Sequence, residues 1–143
     1  MSSRLLKPMS LFLGVVMFLF GFLKFLSPFS GWFDIQIQQS HLPHAAILAG
    51  KLTEMLTGLL FLLPWFLKSL KKNRAQVILL ACLILFTQMV VAIYVHLQPG
   101  VPASVLPLGI KPPIIPITVL VFGLFTASAA WKAEQTDSSA PIR

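Results

Sequence analysis

Charge is what this sequence has least of. Charged residues make up 10% of its 143 residues, against roughly 25% in ordinary soluble domains. Hydrophobic residues make up 57%, and the mean hydropathy is +0.86. Too few polar side chains are present to cover a water-facing surface, so lipid must be the main solvent. Cysteine is nearly absent too. The single Cys82 lies inside an apolar run, which excludes an intrachain disulfide and a CxxC redox pair. Also missing are a phosphate loop and the GxGxxG, HExxH and GxSxG motifs, so no familiar soluble enzyme is legible. The net charge is +7. Its basic residues gather at the ends of apolar runs rather than along a polar face, which argues against a nucleic-acid partner and for membrane orientation signals.

What the sequence does have is four long apolar runs: MSLFLGVVMFLFGFLKFL from Met9, AAILAGKLTEMLTGLLFLLPW from Ala45, Gln76 to Leu97, and Pro113 to Trp131. Each is near the roughly 20 residues that a helix needs to cross the bilayer core. A spanning segment must satisfy its backbone internally, so helix is the reading for all four. The expectation is an all-α membrane protein, a four-transmembrane-helix bundle forming a single domain over 1–143. Its helices are expected at about 9–27, 44–67, 75–97 and 113–131. The first run lacks a small-x-small cleavage site and reads as a retained helix. Pro8 suits a first helical turn, and Asn73 suits an N-cap. The stretch from Gln98 to Pro116 holds six of the eleven prolines and reads as a stiff external connection. The polar tail after Trp131 reads as frayed.

Orientation follows from the loops. Arg4 and Lys7 precede the first run, Lys68, Lys71, Lys72 and Arg74 fill the second loop, and Lys132 and Arg143 follow the fourth run. The first loop has neither Lys nor Arg, and the third has only Lys111. The positive-inside rule puts both termini in the cytoplasm of a bacterial inner-membrane, multi-pass protein. The lipid bilayer is its expected partner, with anionic inner-leaflet lipid at the basic ends.

The informative residues are the polar exceptions. Glu54 is the only acid within an apolar run. Counted from Ala45, it lies about 14 Å from the outer boundary. An ionised carboxylate at that depth costs at least about 2.5 kcal/mol without a partner. Lys51, three residues earlier, or Lys24, at the end of the first run, can supply the charge. Small residues share these faces: Gly14 and Gly21 with Lys24, Gly50 and Gly58 with Glu54, Ala92 with Gln88 and His96, and Gly123 with Ala127 and Ala130. Small faces let helices approach closely in lipid, within one chain or between copies in a homo-oligomer. The expected bundle therefore turns them inward and gathers Lys24, Lys51, Glu54 and His96 in its outer half. Glu54 with one lysine is then either a lock between helices or part of a polar pocket that binds a ligand or relays a proton. Lys51 has the alternative of snorkelling outward, and Gln88 reads as an interhelical hydrogen-bonder. His41, His44 and His96 would be the ligands of any metal or haem, but interfacial histidines are more often solvated, and no metal is assigned. Cys82 reads as packing.

In layout the chain resembles the DoxX-like family of small four-helix membrane proteins. The resemblance rests on GFLKF at Gly21 to Phe25, HLPH at His41 to His44, and GKLTEMLTGLLFLLPW at Gly50 to Trp65, with Glu54 and Gly58 four residues apart. It implies a redox-linked accessory subunit rather than a stand-alone enzyme, beside a membrane or redox protein partner. Quinone, or another lipophilic small molecule, is the ligand that this implies, with Glu54 holding the head group or relaying a proton and Lys24 and Lys51 setting its charge. The chain departs from a redox enzyme in having no paired cysteines. Two other functions compete: a noncatalytic scaffold or assembly factor, and a small proton-coupled transporter. Small multidrug exporters also have four helices and one glutamate, though theirs is in the first helix.

Overall fold

The computed structural model describes residues 5–138, and the only regular secondary structure among them is helix, with no strand. Five α-helices follow in order: α1 (Leu6–Leu23), α2 (Phe29–Gln39), α3 (Ala45–Phe66), α4 (Arg74–Leu97) and α5 (Ile114–Ser138). All but α2 are long and apolar enough to cross a bilayer, which makes the chain a multi-pass membrane protein. The expected basic residues Arg4 and Arg143 lie outside the described residues.

Three expectations need correcting. α1 runs from Leu6 to Leu23, rather than over 9–27. It starts earlier because Pro8 is its third residue, where no intrahelical N–H is needed. It stops earlier because the chain tightens into single turns at Phe25 and Leu26, whose N–H groups donate to Phe22 and Leu23, before Pro28 opens α2. The first loop is not irregular: it holds α2, which buries Phe33 and Ile37 and leaves Phe29 and Trp32 outward. At the far end α5 continues through the polar tail to Ser138. Ala, Lys, Glu and Gln there are good helix formers, and Gln76 of α4 donates to Glu134 at 2.8 Å. Asn73 does precede α4, but its side chain makes no capping bond.

α1 packs antiparallel to α3, α3 to α4 and α4 to α5, and α5 returns to α1. Lipid tails are as apolar as leucine, so burying carbon does not drive this assembly; close packing does. The closest approach is between α1 and α3. A Cβ at Gly58 would stand 2.5 Å from the backbone nitrogen of Phe18, and one at Gly21 would stand 2.7 Å from that of Met55. The core beneath holds Leu13, Phe61, Ile78, Cys82 and Leu85, none more than 1% exposed. Long apolar side chains such as Phe12, Leu52, Leu83 and Val90 point outward instead, as lipid-facing helices require.

The proline-rich segment is folded down rather than extended. It forms two single 3₁₀ turns, Ala103–Val105 and Pro107–Gly109. Val101, Val105 and Leu106 are buried with Val95 of α4. Lys111 donates to the carbonyls of Gln98 and Val101, each at 2.5 Å, and the Gln36 amide of α2 donates to the Val105 carbonyl. The only cation of this loop thus ties down its own backbone.

Candidate functional site

The antiparallel packing divides the polar residues between two ends. Lys7, Arg74 and the exposed Lys68, Lys71 and Lys72 belong to one end. There Trp65 lies under Arg74 (4.1 Å) and near Lys7 (5.9 Å). Towards the other end the helices part around a cavity of about 360 Å³. All four spanning helices line it, and α2 and Pro107 contribute as well.

Most of the wall is carbon, from side chains such as Val16, Met17, Phe20, Ile84 and Val119. Against this stands a small polar set: Lys24, Gln36, Thr53, Glu54, Thr87, Gln88 and His96. Lys24 of the α1 terminus donates to Glu54 Oε1 of α3 at 2.5 Å, and the two side chains are 17% and 15% exposed. The Lys24 ammonium also sits 4.0 Å from the centre of the Phe33 ring, a favourable cation–π contact. Glu54 Oε2 is buried and has no hydrogen-bond partner. Gln88 of α4 donates to Thr57 Oγ1 of α3 at 3.0 Å, while its own Oε1 is buried and unpartnered. His96 is 4% exposed, and its Nδ1 lies 3.1 Å from the Lys111 carbonyl.

Four of the residues singled out by sequence, Lys24, Glu54, Gln88 and His96, therefore line one cavity. Lys51 does not. It points to α2, where Asp34 accepts from it at 3.3 Å, and it flanks Phe25 and Phe33 at 5.7 and 5.9 Å. Between the two lysines considered as partners of Glu54, the structure selects Lys24. The reason is α2, whose Asp34 offers Lys51 a nearer carboxylate. His41 and His44 are exposed and lie away from the cavity wall, so the three histidines are not brought together. Among the described residues, no three His, Cys, Asp or Glu side chains group to hold a metal ion.

Sequence reasoning missed Phe33 and Gln36, because it read their segment as loop. A signal was there: Phe29, Phe33 and Ile37 recur every four residues, with Trp32 between, as in an amphipathic helix. Gly50 has a local purpose that its spacing did not suggest, since a Cβ there would stand 2.8 Å from the Phe33 ring. No family model, curated protein or solved structure matches the chain.

Proposed function

We propose that this protein binds a lipophilic small molecule bearing a polar head group inside its helix bundle. The observation that carries this reading is the cavity itself. It is of ligand size, its wall is mainly carbon, and a few polar side chains from separate helices converge on it, which is the general form of a small-molecule site. The paired Lys24 and Glu54 would orient the head group. The DoxX-like motifs extend the reading to a quinone-class ligand and to a redox-linked accessory role beside a membrane partner. The basic cluster of Lys7, Lys68, Lys71, Lys72 and Arg74 favours a bacterial inner membrane with both termini cytoplasmic, so the cavity would open in the outer half.

Mass spectrometry of lipophilic molecules that co-purify from native membranes tests this reading. Wild type is expected to enrich a specific molecule, quinone by the family likeness. Glu54→Gln, which removes the charge, and Ala92→Phe, which puts a ring into the cavity, are each expected to lose it at least tenfold. The same membrane-like lipid mixture on all three proteins would overturn the proposal.

One observation favours a second reading, a noncatalytic scaffold: the Lys24–Glu54 pair joins α1 to α3. In that case Glu54→Ala lowers protein yield while co-purifying molecules stay unchanged.

A further inference from the structure

We infer that the cavity takes a lipophilic hydroxyl compound, an alcohol or phenol, in preference to the matching ether, with His96 Nε2 accepting the hydroxyl hydrogen. The inference rests on the reading that the cavity binds a lipophilic molecule, and it narrows the chemistry of that molecule.

The hydroxyl hydrogens on the wall are already spent on backbone carbonyls. The Thr53 hydroxyl donates to the Ala49 carbonyl at 2.7 Å, and the Thr87 hydroxyl donates to Leu83 at 3.3 Å. The Gln36 amide is spent on the Val105 carbonyl. Gln88 is oriented by its neighbour. The Thr57 hydroxyl gives its hydrogen to the Thr53 carbonyl at 2.7 Å, so Thr57 Oγ1 can only accept from Gln88. That places Gln88 Nε2 on Thr57 and leaves Oε1 unpartnered. Glu54 likewise keeps one oxygen unpartnered.

His96 is oriented in the same way. A carbonyl can only accept, so the contact of Nδ1 with the Lys111 carbonyl places the ring hydrogen on Nδ1. With one ring hydrogen placed there, the imidazole lone pair is at Nε2. The Lys111 backbone is itself held by its side chain on the Gln98 and Val101 carbonyls. No other bond to the His96 ring exists among the described residues, and Nε2 is left for an occupant of the cavity.

The hydrogens that remain are the second N–H of each amide and those of the Lys24 ammonium, which is drawn to Glu54 and lies over Phe33. Against these stand three acceptors that no protein hydrogen meets among the described residues, Glu54 Oε2, Gln88 Oε1 and His96 Nε2. A hydroxyl can donate to Nε2 and still has lone pairs to accept a free N–H. An ether, or the carbonyl of an oxidised quinone, can only accept and leaves a desolvated acceptor unmet, so within the quinone class the hydroxyl-bearing quinol is the form that this wall favours.

Native mass spectrometry of the full chain released from nanodiscs tests this, with 4-decylphenol and 4-decylanisole as probes at equal membrane mole fraction. Wild type is expected to prefer the phenol by about fivefold, the weight of one net hydrogen bond. His96→Asn keeps an amide N–H that can face the Lys111 carbonyl but offers no acceptor at Nε2, so its preference is expected to fall to near one. His96→Gln sets an oxygen near the place of Nε2 and is expected to keep the preference, which separates loss of the acceptor from loss of the fold. Equal binding of both probes to wild type overturns the inference and leaves the lipophile reading standing. Binding of neither probe overturns both. A phenol preference that persists in His96→Asn removes His96 from the role.

Discussion

The two ends of this bundle solve opposite problems. At the basic end the helices close on one another. Trp65 donates to Ser10, Ser10 donates to the Phe61 carbonyl, and Arg74 covers the indole face while donating to the Pro64 carbonyl at 3.0 Å. At the other end the helices separate, and the space between them keeps a charge pair, two amides and an imidazole on its wall. Two of the three buried side-chain atoms without a hydrogen-bond partner among the described residues, Glu54 Oε2 and Gln88 Oε1, belong to that wall. In lipid the packing energy comes from the glycine-mediated approach of α1 to α3, at Gly14 and Gly58 and, beside the cavity, at Gly21, so the faces that part can hold polar groups that serve packing poorly.

Substitutions can break this comparison, beginning with the closed contact. Gly58→Val is expected to have the largest effect. Its side chain would meet the Phe18 backbone, which cannot swing aside as a flexible side chain can. A loss of about 3 kcal/mol is expected, read as a drop in melting temperature and yield in nanodiscs. At the cavity end, Glu54→Ala leaves the Lys24 charge unpaired and is expected to cost about 2–3 kcal/mol. The double variant Lys24→Met with Glu54→Leu is expected to recover most of that loss, because it removes both charges. A double variant as unstable as Glu54→Ala would mean that the side-chain shapes, and not the charges, hold this end.

Smaller effects sharpen the contrast. Asp34→Asn weakens the 3.3 Å contact with Lys51. Asp34 is 41% exposed there, so a change of about 0.5 kcal/mol is expected. Smallest of all is Gly31→Ala in α2. Nothing lies within 4 Å of a Cβ at that position, and alanine is the better helix former. A slight gain, up to about 0.5 kcal/mol, is expected. A large loss at Gly31 would mean that α2 is packed by something other than this chain.

Much of the fold was legible in the residues. Four apolar runs gave four spanning helices, and the glycines at 14, 21 and 58 marked the faces that meet. α2 was obscured because eleven residues rich in polar side chains, FSGWFDIQIQQ, sit between two far stronger apolar signals. The shape of the proline-rich loop was obscured for a different reason: prolines forbid long helix but do not say where the turns fall. The site was half legible. Lys24, Glu54, Gln88 and His96 were singled out because polar groups in lipid are costly, whereas Phe33 and Gln36 reach the cavity only through α2.

Composition and periodicity by themselves determined that the chain is helical, that it is suited to crossing a membrane four times, and that small-residue faces bring its helices together. These are local properties, since hydrocarbon thickness sets the length of a run and backbone hydrogen bonding demands a helix. Only the tertiary structure decided that Glu54 pairs with Lys24 while Lys51 turns to Asp34, that Lys111 orients His96, and that a cavity stands between them. A charge can choose among partners only when distant segments are brought within a few ångströms of it, and no spacing along one helix contains that choice.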